Sequence, residues 1–263
     1  PPSPGRASSI LARYDFDEPT RRFALPGRLD EISGLAMTAD GRLFGHDDER
    51  GRVHEIDPGT GEVGKRFDLG SDLARDDFEG IAVVGERFFL VSSAGRLYEF
   101  REGADEQNMR YRMTDSGLGR GCEIEGLDYD PVDDALLFAC KTADDDGDRI
   151  VIRRRSMDPD VGRLPDIHVD RGELDAVDLD RDFEPSALVV LPGGTYLLAS
   201  ATEESLLEVD RQGRVVGGAD LRNRFHRQPE GLALGDDGTL YIADEENEED
   251  AWLTAYAPRG GER

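Results

Sequence analysis

The chain has 263 residues, of which 37% are apolar and 34% are charged, and its 58 acidic against 32 basic residues give a formal net charge of −26. This charge argues against nucleic acid and anionic membrane surfaces as partners, because both require a basic face. The sequence contains no run of 18 apolar residues, so it predicts no membrane-spanning segment.

Lysine is rare among the basic residues, since Lys65 and Lys141 are the only two lysines of the chain. An acid-rich, lysine-poor composition favours a halophilic source, in which abundant salt screens the repulsion between like charges. The alternative is an ordinary acidic protein whose genome favours arginine codons.

The chain begins with a segment rich in proline, serine and glycine, so residues 1–9 predict a flexible leader and residues 10–263 a single domain. The sequence opens on Pro1, which suits a mature end left after removal of a signal or anchor. We therefore expect an exported protein of the periplasm or cell envelope. Strands are predicted next, over residues 11–16 and 22–25.

Five similar segments follow, each with an apolar residue, then glutamate or serine, then a small, an aliphatic and a small residue. Their second positions are Ser33, Glu79, Glu125, Ser186 and Glu230. These landmark residues are 46, 46, 61 and 44 residues apart. Strand-rich repeats of about 40 to 50 residues are typical of β-propeller blades.

Turn signals divide each of the first four repeats into four short strands and the last into three. The predicted strands are 34–37, 43–45, 53–57 and 64–69; 81–84, 88–92, 97–101 and 109–113; 127–129, 135–141, 150–155 and 166–169; 188–191, 195–200, 206–210 and 215–220; and 232–234, 240–244 and 252–257. The third repeat is longer because of two polar segments, 157–162 and 171–182, which we interpret as surface insertions. Only residues 204–208 show a helical pattern.

These elements predict an all-β fold, a five-bladed β-propeller whose last blade is closed by the N-terminal strand. Closure matters because an open ring would expose unpaired strand edges. Six blades are the alternative, if the long third repeat contains a degenerate blade. Cys122 and Cys140 flank one predicted hairpin without facing each other directly, and disulfide geometry is demanding, so we expect two free thiols.

Inner strands of a propeller line its central channel, so the landmark residues should meet there. The residues two positions upstream lie on the same side of an extended chain and are Glu31, Asp77, Glu123, Glu184 and Gln228. Carboxylates this close repel one another unless they bind protons or a cation. We therefore expect a divalent cation at Glu79, Glu125 and Glu230, helped by the four upstream acids.

Hard oxygen ligands favour Ca²⁺ or Mg²⁺ over zinc. The alternative is that these glutamates join neighbouring blades through hydrogen bonds to the backbone.

Further acidic loops would form a funnel above the channel, and we expect the aspartate-rich run 144–148 to be a solvated loop. His46 and His226 are candidate general bases at this funnel, although we expect both side chains to be exposed.

The sequence lacks the Gly-x-Ser-x-Gly elbow, the Walker loop and the HExxH motif. Over residues 28–258 the chain resembles the SdiA-regulated domain family of bacterial β-propellers. The resemblance rests on segments 32–35, 77–81, 125–127, 205–216 and 228–232. It implies a propeller, an exported setting and calcium at the channel, with Glu79, Glu125 and Glu230 on its Glu-Gly positions.

The leading functional hypothesis is a binding propeller of the bacterial envelope with a divalent cation at its channel and an unidentified small-molecule or basic protein ligand. A second hypothesis is a metal-dependent hydrolase of a phosphoester or lactone, in which the metal would activate water. A third is a protein-interaction scaffold that uses the acidic face. Metal-dependent turnover would favour the second hypothesis, and salt-sensitive capture of a basic protein would favour the third.

Overall fold

Short apolar strands joined by tight turns form the whole architecture. The computed structural model describes residues 9–144, 147–222, 225–245 and 250–260. In these ranges 21 strands form five sheets, which are the five blades of a propeller. The strands of blades 1 to 5 are β2 (Ile32–Met37), β3 (Leu43–Asp47), β4 (Arg52–Ile56), β5 (Val63–Leu69) and β9 (Gln107–Met109); β6 (Phe78–Val84), β7 (Arg87–Ser92), β8 (Arg96–Arg101) and β10 (Tyr111–Asp115); β11 (Cys122–Asp130), β12 (Ala135–Ala143), β13 (Arg149–Ser156) and β14 (Arg163–Asp170); β15 (Ala187–Val190), β16 (Tyr196–Ser200), β17 (Ser205–Val209) and β18 (Val215–Asp220); and β19 (Pro229–Leu234), β20 (Leu240–Asp244), β21 (Trp252–Tyr256) and β1 (Arg21–Ala24).

The N-terminal strand closes the ring, as the sequence predicts. Strand β1 is the outer strand of blade 5 and pairs antiparallel with β21, with Arg21 opposite Ala255. The long third repeat forms one blade, so the five-blade prediction is confirmed and the six-blade alternative is wrong. Strand β9 belongs to the second repeat in sequence, but it pairs parallel with β5 and is therefore the fifth strand of blade 1. The single strand predicted over 109–113 is therefore divided between two blades.

The hydrophobic core lies between the blades. Five buried clusters are found among the described residues, and each joins two neighbouring blades, so that the clusters follow one another around the ring. Between blades 1 and 2, for example, Phe44 packs edge-to-face on Phe88 with their ring centroids 5.0 Å apart. Strands buried on both faces need uninterrupted apolar runs, which explains the apolar sequence from Ala135 to Cys140 on β12.

The described residues also form three 3₁₀ helices, Ile10–Arg13, Gly27–Leu29 and Arg171–Val177, of which the first and the last lie where the sequence predicts a strand and a surface insertion. The strand predicted over 11–16 is wrong, because the Ser9 hydroxyl accepts a hydrogen bond from the Leu11 backbone at 3.1 Å and starts the first helix. The insertion predicted over 171–182 contains the last helix and buries Leu174 between blades 3 and 4. None of the helices in the described ranges is long and apolar enough to cross a membrane.

Cys122 and Cys140 form a disulfide, so the expectation of two free thiols is wrong. In the strand pairing Cys140 is opposite Ile124 and Cys122 is opposite Ala143, so the two cysteines do not face each other directly, as predicted. However, the pairing of β11 and β12 is irregular on both sides of Ile124, and the local distortion brings the Cα atoms of the two cysteines to 5.4 Å. That separation is within the usual range for a disulfide.

Glycine follows the landmark position because neighbouring inner strands nearly touch. A Cβ atom placed on Gly126 would lie 2.9 Å from the backbone nitrogen of Leu188 in the next blade. On Gly80 the same atom would lie 2.7 Å from the backbone nitrogen of Leu127. A side chain at either position would therefore push two blades apart.

We expect Gly126→Ala to lower the free energy of unfolding by about 2 kcal/mol, since overpacking a rigid core costs about this much. Urea denaturation monitored by tryptophan fluorescence measures the change. Gly64→Ala is the matched control, because a Cβ atom at this exposed strand position meets nothing within 4 Å. Equal stability of the two variants would contradict the close approach of blades 3 and 4.

Candidate functional site

The landmark residues share a backbone feature that the sequence pattern does not reveal. In blade 2 the strand pairing skips Glu79, because its neighbours Phe78 and Gly80 pair with consecutive residues of β7. The same skip occurs in three other blades, at Ser33, Glu125 and Glu230. A β-bulge redirects the side chain of its extra residue. The repeated bulge therefore explains why these side chains turn to the channel.

Three of the landmark side chains, called here the inner carboxylates, are Glu79, Glu125 and Glu230. They line one narrow cavity between the inner strands, with a volume of about 10 Å³. A cavity of this size holds about one water molecule. Ser33 lies beside them and donates a hydrogen bond from Oγ to Oε2 of Glu79 at 3.0 Å, linking blades 1 and 2.

The remaining landmark residue has a structural role. Ser186 is buried and donates a hydrogen bond from Oγ to the carbonyl oxygen of Pro229 at 2.6 Å. This bond joins blades 4 and 5 at the residue that precedes Glu230 in the chain. A hydrogen bond to the backbone of the next blade, which the sequence suggests as an alternative for the glutamates, is thus made by this serine.

Burial and mutual repulsion favour the protonated forms of the inner carboxylates. Burial, followed by the charges of Glu125 and Asp77, raises the pKa of Glu79 to about 8. Burial also raises the pKa of Glu125 to about 7, although the nearby Lys141 ammonium acts to lower it. The pKa of Glu230 is raised well above its usual value by burial and by the charges of Glu125 and Glu245. The cluster therefore holds protons near neutral pH.

Lys141 is the cation of this cluster. Its Nζ atom donates a hydrogen bond to Oε1 of Glu125 at 3.3 Å. The side chain of Glu125 is 7% exposed and that of Lys141 is 36% exposed, so the ammonium approaches the carboxylate from the channel mouth. Burial acts to lower the pKa of Lys141, but the charges of Glu125, Glu123 and Glu230 raise it. Lys141 therefore stays charged and offsets part of the negative charge.

Two of the upstream acids lie at the exposed rim of the cluster. Asp77 accepts a hydrogen bond from the Ser93 hydroxyl at 2.5 Å and adds to the repulsion that Glu79 experiences. Glu123 accepts a hydrogen bond from the Thr142 hydroxyl at 3.4 Å, and its charge acts on Lys141. Both carboxylates are near enough to affect the inner ones electrostatically.

The other two upstream acids lie elsewhere. Glu31 contacts Glu245, whose pKa rises to about 7 through burial and the contact with Glu31. Asp48 belongs to the same group, and burial together with the charge of Glu31 raises its pKa to about 6. Glu184 instead accepts a hydrogen bond from the Thr202 hydroxyl at 3.5 Å on blade 4. The structure thus brings five of the seven predicted acids together at the inner carboxylates, places Glu31 in a second group with Glu245 and Asp48, and leaves Glu184 apart.

The donor types fit a hard divalent cation, because carboxylates from three blades surround a space the size of one water molecule or ion. Yet in the described parts of the chain no three acidic, histidine or cysteine side chains are placed to hold a metal ion together. Glu125 is engaged by Lys141 instead. A bound ion would therefore replace the ammonium at Glu125 and draw the inner carboxylates closer.

The predicted acidic funnel is only partly described. Asp48 and Glu245 belong to two of its loops, whereas Glu246–Glu249 and the centre of the aspartate run, Asp145 and Asp146, lie outside the described residues.

Both candidate histidines are buried, so the expectation of exposed side chains is wrong. His46 lies on β3 with its ring against Gly34, and burial lowers its pKa to about 4. His226 bonds through Nδ1 to Oδ2 of Asp244 at 2.8 Å and through Nε2 to the hydroxyl of Tyr256 at 2.7 Å. These contacts assign both histidines to the interior of blades 1 and 5.

Solved structures of other proteins share this fold. Glutaminyl cyclase from Myxococcus xanthus has a TM-score of 0.61 and 17% identity, over 92% of this chain and 96% of that protein. PQQ-bound aldose sugar dehydrogenase from Streptomyces coelicolor has a TM-score of 0.58 and 12% identity, over 92% and 98%. A luciferin-regenerating enzyme has a TM-score of 0.55 and 9% identity, over 92% and 95%. Identities this low show a common fold and carry no activity over.

At the level of sequence, the chain matches one protein family. No curated protein matches the chain. The sequence profile of the family described as SdiA-regulated matches residues 7–248, which include all five inner strands and the inner carboxylates. The chain, a five-bladed β-propeller, therefore belongs to the SdiA-regulated family.

Proposed function

We propose that this protein is a binding propeller of the bacterial envelope and that its channel mouth binds a divalent cation, Ca²⁺ or Mg²⁺, at Glu79, Glu125 and Glu230. The observation that carries the proposal is the convergence of these three carboxylates, from three blades, on one ion-sized cavity. Lys141 supplies one positive charge against them. The raised pKa values of the three carboxylates favour bound protons, which reduce the remaining negative charge and which a divalent cation would displace.

A bound cation would supply charge neutralisation and would link blades 2, 3 and 5 at the axis. The geometry favours binding over hydrolysis, because the cavity beside the inner carboxylates has room for one water-sized species and none for an organic substrate. A small molecule or a basic protein would instead contact the wider rim, where Asp77 and Glu123 are exposed. The small molecule or basic protein would thus be recognised by the negative charge of the rim.

Two observations support the proposed envelope location and adaptation to salt. The Cys122–Cys140 disulfide suits an oxidising compartment, since cytosolic reductants keep most thiols free. The net charge of −26 suits a salty solvent, because salt screens the repulsion among surface acids.

We expect Ca²⁺ or Mg²⁺ to raise the melting temperature of chelator-treated protein by about 5 °C at a hundredfold excess over the dissociation constant. The measurement is a thermal-unfolding titration, with sodium chloride at equal ionic strength as the reference. Treatment with EGTA or EDTA should reverse the shift. The effect should grow between pH 6 and pH 8, since the cation and protons compete for the same carboxylates.

Glu125→Gln and Glu230→Gln should each abolish the shift, and Glu62→Gln, at an exposed turn of blade 1, should leave it unchanged. Lys141→Met should strengthen binding, because the ammonium and the cation compete for Glu125. If sodium acts as well as calcium, or if the glutamine variants respond like the unmodified protein, no cation site exists at the channel.

A further inference from the structure

A second and much larger cavity, called here the far pocket, lies at the opposite end of the inner strands. It has a volume of about 1010 Å³, which suits a small organic molecule. Its walls come from the last residues of β2, β15 and β19, from Asp128 near the end of β11, and from the first 3₁₀ helix. Asp128 is three residues beyond Glu125, about 10 Å along the strand. The far pocket is thus separate from the inner carboxylates.

The walls of the far pocket are mostly aliphatic. Blade 1 contributes Leu35 and Met37, blade 4 contributes Val189 and Leu191, and blade 5 contributes Leu234 and its neighbours. Apolar walls with a few fixed polar groups are typical of small-molecule sites. The ligand therefore needs an apolar body.

One carboxylate occupies a fixed place in this apolar surface. Asp128 accepts a hydrogen bond from the backbone of Val190 in the next blade at 2.7 Å, through Oδ2, and one from the backbone of Tyr129 at 2.8 Å, through Oδ1. Each oxygen keeps a further lone pair for a ligand. Burial raises the pKa of Asp128 to about 7, against the two backbone hydrogen bonds, which act to lower it. A cationic partner would stabilise its ionised form.

The other charged groups of the pocket are also mostly acidic. Glu208 is fixed by hydrogen bonds from the Ser9 hydroxyl and the Ile10 backbone, at 2.6 and 2.8 Å, and from the Thr195 hydroxyl at 2.7 Å. Asp236 and Asp237 lie in the β19–β20 turn, and the basic residue lining the pocket is Arg13. Among the described residues that line the far pocket, four carboxylates face one guanidinium, which gives this lining a net negative charge.

We propose that the far pocket binds a small organic cation with an apolar body, such as a primary amine on an alkyl or aryl group. The ammonium donates hydrogen bonds to Asp128, and the apolar part packs on the aliphatic walls of blades 1, 4 and 5. This site is independent of the proposed cation site at the channel mouth.

Isothermal titration with three probes that share a phenylethyl group tests the proposal: phenethylamine, the neutral 2-phenylethanol and the anionic 3-phenylpropionate. At pH 8 we expect the amine to bind at least tenfold more tightly than the alcohol, and the acid to bind weakest. Asp128→Asn should remove the preference for the amine and leave the affinity for the alcohol unchanged. Equal binding of amine and alcohol, or tighter binding of the acid, would overturn the proposal.

Because Asp128 also holds Val190, a second variant excludes an effect on folding. Leu234→Trp fills the pocket without touching that hydrogen bond, and it should abolish binding of both the amine and the alcohol. Glu230→Gln should leave amine binding unchanged. Amine binding that survives Leu234→Trp, or that is lost in Glu230→Gln, would place the amine at the channel mouth and refute the far-pocket site.

Discussion

Replacing both Cys122 and Cys140 with serine should lower the free energy of unfolding by about 3 kcal/mol. The cysteines are 18 residues apart, and a cross-link that closes a loop of this length removes about that much conformational entropy from the unfolded chain. Both sulfurs are buried between blades 2 and 3, so the serine hydroxyls would add a desolvation cost. Guanidinium denaturation of the two proteins measures the difference.

The disulfide also fixes the hairpin that carries the charges of the channel. Cys122 immediately precedes Glu123, and Cys140 immediately precedes Lys141. Reducing the unmodified protein with a phosphine should cause most of the loss of the double variant, without the added desolvation cost of the serine hydroxyls, and adding the phosphine to that variant should change nothing. A loss below about 1 kcal/mol would mean that the strand pairing alone holds the hairpin.

The fold could be predicted from sequence because its determinants are repeated. A landmark residue followed by glycine marks every inner strand except that of blade 4, where Ala187 follows Ser186. The structure gives the physical reason: at Gly126 the backbone of the next blade leaves no room for a Cβ atom. Because the same steric requirement recurs in several blades, the sequence motif repeats at regular intervals. The number of repeats then equals the number of blades.

The details of the candidate site could not be predicted because they depend on irregular strand pairing. In the hairpin of blade 3 the pairing skips both Glu125 and Lys141, which brings the two side chains together. A regular hairpin count, which assumes one partner for each residue, misses this pair and also places the two cysteines out of reach. The only sequence signal for Lys141 is its rarity, as one of two lysines.

The buried histidines illustrate a different limit. Their neighbours in sequence are charged, so His46 resembles a loop residue, yet it lies on β3 and is fully buried. Its position depends on where β3 ends, and the predicted strand ends at residue 45, two residues before the end of β3 at Asp47. A shift of one residue at a strand end is enough to exchange an exposed side chain for a buried one.

Raising the pH from 6.5 to 8.5 in the presence of EDTA should lower the free energy of unfolding by about 3 kcal/mol. In this range the folded protein still holds protons on Glu79 and Glu125, whose pKa values are raised to about 8 and about 7 by burial, whereas the unfolded chain has lost them. Stability gained from a raised carboxyl pKa is complete below the unfolded value and is lost as the pH rises through the folded value. Each proton contributes about 1.4 kcal/mol per pH unit.

The lower limit of pH 6.5 is chosen because His46 and His54 act in the opposite direction below it. Burial lowers the pKa of both to about 4, so they destabilise the fold on acidification from pH 6.5 downward. Glu230→Gln should flatten the dependence above pH 6.5 and should stabilise the protein at pH 8.5, since it removes a buried charge without removing volume. Glu62→Gln should keep the slope of the unmodified protein. If both variants show that slope, the inner carboxylates do not share protons at the channel axis, and the basis for placing a cation there is lost.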